Sequence, residues 1–230
     1  MIKKIAIIPA RGGSKRIPQK NIKLFLGKPI ISYSIKAAIK SKLFDEIMVS
    51  TDDNEIKEIS EKLGAKVPFM RTKKNSNDYA TTPEVISEVL KNYLKSGKSF
   101  DYVCCIYPAA PLIRWKKILE GYELIKTENF NSVLTLAQYS TPIQRALKIN
   151  NQKVEMILPE NEYSRSQDLE KTFYDAGQFY WISQDFFLKN DKIFNENTGG
   201  ILLSQLETQD IDNLEDFELA ALKFKINKYD

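Results

Sequence analysis

The stretch IIPARGGSKRIPQKN, residues 7–21, joins an apolar strand-like run to a Gly-Gly turn and a basic loop. Gly12 and Gly13 let the backbone approach a ligand closely and turn its N–H groups toward an anion. Like charges repel at short range, and the nearest acidic residue in the sequence is Asp45. The stretch therefore predicts a phosphate-binding loop after a first strand, with a solvated basic turn as the alternative. Its cations are Arg11, Lys15, Arg16 and Lys20, followed by Lys23.

Strand-like apolar runs alternate with segments of helical period up to about residue 140. Strands are predicted at residues 4–10, 46–51, 65–70, 101–107 and 131–137. Helices are predicted at residues 31–43, 56–63, 82–97 and 114–127. We place the third strand at an edge because Pro68 cannot donate to a ladder, and we expect Thr82 to cap the third helix. Such alternation indicates an α/β fold, with a mostly parallel, Rossmann-like sheet and helices on both faces.

The pattern changes after Ser140. Three strand-like runs, IQRALKI, KVEMILP and GQFYWI, are separated by polar turns rather than by helices. We interpret residues 141–176 as an antiparallel excursion from the main sheet, within a single domain of residues 1–230. GILLSQL is expected to return to a sheet edge, and Asn213 is expected to cap a final helix. The excursion carries more apolar surface than a monomer leaves exposed, which favours a homodimer.

Composition restricts the available chemistry. The chain of 230 residues contains no histidine, which excludes a His-based triad, a His-ligated zinc site and a His general base. Cys104 and Cys105 are adjacent, so on a strand they point to opposite faces and are expected to act as small apolar residues. Catalysis must then use carboxylates, lysines, tyrosines, bound water or a metal held by oxygen.

Partners and location are also restricted. No run approaches the roughly 20 apolar residues of a membrane helix, and the apolar core Ile5–Ile8 is too short for a signal peptide. We therefore expect a cytoplasmic protein with no membrane partner. Basic residues beyond the first part of the chain are matched by acids, which argues against a nucleic-acid partner.

Opposite charges are concentrated in two distant segments. Residues 1–44 carry eleven Lys or Arg and no acid, whereas residues 207–218 carry six acids and no base. Asp210 and Asp212 are two residues apart, so both carboxylates face one side of an extended segment and could hold Mg²⁺. The alternative is an acidic approach to the last helix, favourable to its dipole.

Several motifs resemble those of the acylneuraminate cytidylyltransferases, which make CMP-activated nonulosonic acids. The opening stretch is similar to the family signature, and RTKKNSNDYATT resembles the segment that contacts cytidine. YPAAPL stands where sialate synthetases have QPTSPL, RSQD resembles their RxQ segment, and DAGQFYW stands where they have NGAIY. DIDNLEDFELA resembles the metal-binding segment, so that the likeness covers nearly the whole chain.

The resemblance implies a GT-A-like nucleotidyltransferase sheet and the transfer of CMP from CTP to the anomeric hydroxyl of a nonulosonic acid, for a surface glycan or flagellin. Positioning and charge neutralisation dominate such transfers. The implied catalytic residues are Arg11, Lys20 and Asp210, and the implied Mg²⁺ ligands are Asp210 and Asp212. The implied CTP-binding residues are Ala10, Arg11, Gly12, Gly13, Ser14, Lys20, Asn21, Arg71, Ala80 and Thr82.

The resemblance also implies a sugar pocket, closed by the excursion, here residues 141–194, of a second subunit. The implied sugar-binding residues are Tyr107, Arg165, Gln167, Gln178, Tyr180 and Phe194. Arg165 suits the sugar carboxylate, with a surface ion pair to Asp168 or Glu162 as the alternative. Tyr107 and Ala176 stand where sialate synthetases have Gln and Asn, and RSQDLEKTFYDAGQFYW resembles the pseudaminic acid branch. Sialate or legionaminate activation and a non-catalytic nucleotide-binding subunit remain the alternatives.

Overall fold

A computed structural model describes residues 2–227. The strands are β1 Lys4–Pro9, β2 Leu24–Phe25, β3 Lys28–Pro29, β4 Glu46–Ser50, β5 Tyr102–Ile106, β6 Ser132–Gln138, β7 Leu147–Asn150, β8 Lys153–Met156, β9 Phe173–Ser183 and β10 Thr198–Leu203. The α-helices are α1 Ile31–Ser41, α2 Asn54–Lys62, α3 Thr82–Lys95, α4 Trp115–Thr127, α5 Gln184–Asn190 and α6 Leu214–Ile226. None of the helices within residues 2–227 has both the length and the apolar character needed to cross a bilayer.

The main sheet has the strand order β10-β6-β9-β5-β1-β4. Strands β4, β1 and β5 pair in parallel, and so do β6 and β10, whereas β9 lies antiparallel between β5 and β6. Side chains alternate across it: Ala6 and Cys104 pack with helices α1, α2 and α4, and Ile7 and Cys105 pack with α3 and α5. The prediction of a mostly parallel α/β sheet covered on both faces is therefore confirmed.

One strand prediction and one strand placement were wrong. Residues 65–70 form only an isolated bridge, Met48 to Lys66, rather than an edge strand. Pro68 has no N–H with which to extend that pairing. GQFYWI belongs to β9 in the middle of the main sheet and not to a separate antiparallel excursion. Apolar content does not distinguish these placements, because a strand buried on both faces is apolar in either direction.

The rest of the 141–176 segment contains a hairpin outside the main sheet. Strands β7 and β8 pair antiparallel, from Leu147 opposite Met156 to Asn150 opposite Lys153. Strand β10 takes the edge position beside β6, as predicted for GILLSQL.

The observed helix cap matches the predicted one at α6 but not at α3. Asn213 caps α6 through a capping box with Asp216, as predicted. For α3 the cap is Thr81, whose side chain accepts from the Glu84 N–H, so the prediction of a Thr82 cap was wrong. Thr82 is instead the first helical residue and lines the adjoining cavity, where its hydroxyl lies 3.0 Å from that of Tyr107.

Candidate active site

The carboxyl ends of β1 and β5 open into one cavity of about 410 Å³. Ligands of open α/β sheets bind at this edge. Seven of the predicted CTP-binding residues line the cavity: Arg11, Ser14, Lys20, Asn21, Arg71, Ala80 and Thr82. Ala10, Gly12 and Gly13 belong to the same loop and are not among the lining residues of the described chain. The structure therefore brings the N-terminal loop and the 71–82 segment together, as the motifs predicted.

The cations of the opening loop meet an acidic partner from a distant segment. Arg11 Nη1 lies 2.9 Å from Asp78 Oδ1 and also donates to the Asn77 carbonyl oxygen at 2.7 Å. Lys15 pairs with the other oxygen of Asp78. The hydrogen bond from Lys15, followed by the charges of Lys15 and Arg11, lowers the pKa of Asp78. Two of the five cations that look unopposed in the sequence thus share one carboxylate in the fold.

The Gly-Gly turn is held against the loop after β4. The Gly12 N–H donates to Asp52 Oδ1 at 3.0 Å. A Cβ at Gly12 would lie 2.8 Å from Asp53 Oδ2, closer than unbonded atoms come. Asn21 is buried and donates from Nδ2 to the Arg11 carbonyl oxygen at 2.9 Å. These contacts fix the loop's shape, and a role for Gly12 and Gly13 toward phosphate stays a prediction.

Arg71 forms part of the cavity wall with a largely buried guanidinium. Its Nε donates to the Ser50 hydroxyl at 3.0 Å, and a second nitrogen donates to the Ser50 carbonyl oxygen. Burial lowers the pKa of Arg71 to about 10, which leaves it charged at neutral pH. The cavity therefore carries a fixed positive charge beside Ala80 and Thr82.

A small hydrophobic cluster joins the basic loop to the acidic segment near the C-terminus. Ile17 of the loop and Ile211 of the acidic segment are both buried in one cluster with Phe25. Burial of one such side chain stabilises by about 1.5–3 kcal/mol. Asp210 and Asp212 flank Ile211 in sequence, so this packing brings both carboxylates to the loop's cations.

The acidic pair and Lys20 form the electrostatic centre of the site. Lys20 Nζ donates to the Ile211 carbonyl oxygen at 2.7 Å, and Arg16 pairs with Asp212 at 2.6 Å. Burial, then repulsion by Asp212, raises the pKa of Asp210. Burial lowers the pKa of Lys20, and the charges of Asp212 and Asp210 oppose that shift.

Asp210 and Asp212 fit a Mg²⁺ ion that takes some of its ligands from the protein and the others from a substrate. Two carboxylates supply hard oxygen ligands, and a divalent cation would offset both the burial and the mutual repulsion of the pair. Across residues 2–227 no cluster of three or more acidic, His or Cys side chains forms a complete metal site. The remaining positions would then fall to phosphate oxygens and water, which is usual for Mg²⁺ in phosphoryl-transfer sites.

The predicted sugar residues are divided between the cavity and the surface. Tyr107 lines the cavity and packs edge-on against buried Tyr180, with ring centroids 5.4 Å apart. Gln178 is buried, and its amide donates to the Glu207 carbonyl oxygen. Arg165 Nε pairs with Asp168 at 2.7 Å, which is the surface ion pair considered as the alternative. Their roles toward a sugar stay predictions, as do those of the remaining two, Gln167 in the same turn and exposed Phe194.

Comparison with known proteins assigns the family. A family model described as cytidylyltransferase matches residues 5–228. The chain belongs to the cytidylyltransferase family. It is similar to the pseudaminic acid cytidylyltransferase of Campylobacter jejuni subsp. jejuni serotype O:2, with 41% identity over 98% of both chains. It is also similar to the CMP-N,N'-diacetyllegionaminic acid synthase of Legionella pneumophila, with 29% identity over 97% of both.

Solved structures support the fold of this cytidylyltransferase. One is a CMP:2-keto-3-deoxy-manno-octonic acid synthetase complexed with CTP, with a TM-score of 0.73 and 17% identity, covering 98% of this chain and 99% of that one. Another is the 4-diphosphocytidyl-2C-methyl-D-erythritol synthase of Anaerococcus prevotii, with a TM-score of 0.65 and 14% identity over 97% and 99%. At these identities the likeness shows the fold alone, and it confirms the nucleotidyltransferase architecture.

Sequence reasoning missed three acidic residues at this cytidylyltransferase site. Asp78 pairs with the loop, Asp52 accepts from Gly12, and Asp175 accepts from the Tyr180 hydroxyl at 2.7 Å. Asp78 is the one acid within RTKKNSNDYATT, which was a usable signal. Asp175 is likewise the one acid within DAGQFYW. Asp52 had no comparable motif, because it acts on Gly12, which the fold brings near.

Proposed function

We propose that this protein transfers CMP from CTP to the anomeric hydroxyl of pseudaminic acid, giving CMP-pseudaminic acid and pyrophosphate. The observation that carries the proposal is the 41% identity with a pseudaminic acid cytidylyltransferase over 98% of both chains. Relatives named for other nonulosonic acids are less similar, at 29% identity. The cation-lined cavity at the strand ends supports the nucleotide half of the reaction.

The chain's own residues would act mainly by positioning and by neutralising charge. Arg11 and Lys20 would hold the β- and γ-phosphates and stabilise the pyrophosphate as it leaves. Arg11 and Lys15 would exchange Asp78 for phosphate oxygens, since both the guanidinium and the ammonium group donate charge-assisted hydrogen bonds to either kind of oxygen. Arg71, Ala80 and Thr82 would hold the nucleoside against the wall formed by the 71–82 segment.

We propose Asp210 and Asp212 as the residues that hold Mg²⁺. Bound there, the ion would neutralise phosphate oxygens and acidify the attacking hydroxyl, which matters in a protein without histidine. Lys20 would keep the acidic segment in place through its hydrogen bond to the Ile211 carbonyl oxygen.

A pyrophosphate-release assay with CTP and a panel of nonulosonic acids tests the proposal. We expect the highest kcat/KM with pseudaminic acid, because a site built for one stereoisomer leaves polar groups unpaired with another. Equal or higher kcat/KM with N-acetylneuraminic or legionaminic acid would contradict the sugar assignment. If CTP bound but released no pyrophosphate in the presence of any of the acids, the protein would instead be a non-catalytic subunit.

We also propose a homodimer, with the β7–β8 hairpin covered by a second copy. Ile149 is 75% exposed, and Leu147 and Val154 beside it on the hairpin are exposed as well. A two-stranded hairpin is marginal in water without a partner surface. Phe194, also 75% exposed, would reach the partner's sugar pocket.

Light scattering should give about twice the chain mass of 26.5 kDa at micromolar concentration. Ile149→Glu should shift the mass toward the monomer, and Ile226→Glu on α6, which replaces an isoleucine 62% exposed, is the matched control. Phe194→Ala should weaken sugar affinity more than CTP affinity. A monomeric wild-type protein would refute the shared site.

A further inference from the structure

One acidic side chain lies in the wall of the cavity that is proposed to hold the triphosphate. Among the lining residues of the described chain, Asp78 is the single acid. The cations of the same wall are Arg11, Lys15, Arg16, Lys20 and Arg71. A carboxylate repels phosphate at short range, so its presence here is not explained by phosphate binding alone. Asp78 must therefore act on the cations themselves.

Both oxygens of Asp78 are held by cations of the opening loop. Arg11 Nη1 lies 2.9 Å from Oδ1, and Lys15 Nζ pairs with Oδ2. These contacts lower the pKa of Asp78, which is an anion at neutral pH. The carboxylate thus occupies two donors that are proposed to turn to phosphate oxygens when CTP binds.

The turn that carries Asp78 does not depend on this carboxylate. Asn77 Oδ1 accepts from the Tyr79 N–H at 2.7 Å and from the Ala80 N–H at 3.0 Å. Arg11 is also attached to the turn independently, because it donates to the Asn77 carbonyl oxygen at 2.7 Å. The Asp78 side chain is 35% exposed, so it can rotate into water while the turn and Arg11 keep these hydrogen bonds.

Pyrophosphate is the product that such a loop would hold most firmly. When the bond between the α-phosphorus and its bridging oxygen breaks, that oxygen leaves with the β-phosphate and carries a new negative charge. Cations that stabilise this charge in the transition state also bind the free product, and product release limits many enzymes. An internal anion that returns to the same cations would weaken the binding of pyrophosphate.

We propose that Asp78 is a specificity-determining residue that competes with pyrophosphate for Arg11 and Lys15 and thereby promotes release of this product. The inference rests on the proposed function, in which these cations bind the departing phosphates. CTP meets the same competition, but its nucleoside gains further contacts with the 71–82 segment of the cavity wall. Pyrophosphate has only its phosphate groups with which to displace the carboxylate.

The test is calorimetric binding of pyrophosphate, with Mg²⁺ present, to the wild type and to variants of Asp78. Asp78→Asn and Asp78→Ala both remove the charge, and each should bind pyrophosphate about threefold to tenfold more tightly, since two exposed ion pairs no longer compete. Asp78→Glu keeps the charge and should bind pyrophosphate more weakly than either. In steady-state assays, the inhibition constant of pyrophosphate should fall by the same factor in Asp78→Asn.

Three controls separate competition from a general change of charge. CMP lacks the β- and γ-phosphates, so its affinity for Asp78→Asn should stay within about twofold of the wild-type value. In the Lys15→Ala background, the gain from Asp78→Asn should be smaller, because one of the contested cations is already gone. Asp185→Asn removes a charge from an exposed position in the first turn of α5 and should leave pyrophosphate affinity unchanged.

Pyrophosphate affinity of Asp78→Asn and Asp78→Ala equal to or weaker than that of the wild type would overturn the inference, because Asp78 would then support the two cations rather than compete for them. An equal gain for CMP, or for Asp185→Asn, would also overturn it, since the effect would then be one of net charge. Failure of the proposed function would appear differently, as the absence of pyrophosphate release from CTP with every acid. The binding measurement uses neither CTP nor a sugar, so the two proposals are tested separately.

Discussion

Asp210→Asn should have opposite effects on stability and on turnover. In the folded protein, burial and then Asp212 raise the pKa of Asp210 above the ordinary value of 3.8. A raised pKa in the folded state gives stability that is complete below the unfolded pKa and is lost as the pH rises through the folded pKa. At neutral pH the wild-type carboxylate has lost that contribution, whereas an amide does not titrate. The metal-free variant should therefore unfold at a higher temperature than the wild type at neutral pH.

The loss of turnover should be large, because the carboxylate would supply half of the protein's Mg²⁺ ligands. Losing one preorganised group that stabilises transition-state charge costs about 2.7–4 kcal/mol, or roughly 10²–10³ in kcat. Mg²⁺ should raise the thermal midpoint of the wild type and leave that of Asp210→Asn nearly unchanged. Asp210→Asn would then stabilise the metal-free protein and lower the turnover of the enzyme in the presence of Mg²⁺.

The assay combines thermal melts from pH 3 to 8, with and without Mg²⁺, and pyrophosphate release at saturating CTP. The difference in midpoint between variant and wild type should shrink toward zero as the pH falls below the carboxylate range. Glu215→Gln removes the same charge from an exposed position in the first turn of α6 and is the control for net charge. Near-wild-type turnover of Asp210→Asn at saturating Mg²⁺ would refute the metal role. A lower midpoint at neutral pH would refute the electrostatic reasoning.

Three further substitutions test the loop, the core and the helix cap. Arg11→Ala should lower kcat/KM for CTP by about 10²–10³-fold, as expected for the loss of one charge-stabilising group. An unchanged value would favour the alternative interpretation of the loop as a solvated basic turn. Gly121→Ala places a Cβ 2.8 Å from Trp181 Cδ1, so chemical denaturation should show a loss of about 1–3 kcal/mol in unfolding free energy. No loss would show that the indole can shift without cost. Thr81→Ala should cost about 1 kcal/mol of unfolding free energy, and no loss would contradict the observed cap.

Much of the fold could be predicted because strand and helix periods are local properties. The runs that became β1, β4, β5 and β6 were predicted within a residue or two, and so was the return of β10 to an edge. The position of β9 could not be predicted, because its partners β5 and β6 are set by the tertiary path of the chain. The strand prediction for residues 65–70 was wrong for the opposite reason. Their local pattern suits a strand, but in the fold they form only one bridge.

The site could be predicted where a motif is contiguous and not where it depends on contacts between segments. The opening loop and the 71–82 segment line one cavity, as the motifs indicated. The contact between the Tyr107 and Thr82 hydroxyls was not predictable, because Tyr107 follows β5, Thr82 begins α3, and no spacing links the two. The approach of Asp78 to Arg11 likewise depends on a turn that ends at α3.

The arrangement of acids around the opening loop explains how so basic a segment can be ordered. Asp52, Asp78 and Asp212 come from three separate segments, and each contacts a backbone N–H or a cation of the loop. These contacts lower the repulsion that five neighbouring cations would otherwise suffer. The loop can thus take its shape before a triphosphate arrives, and a preorganised site spends less of its binding energy on ordering. Asp78 and Asp212 pair at the outer, solvent-exposed ends of the cations, where such pairs contribute little to stability and can be exchanged for phosphate oxygens at low cost.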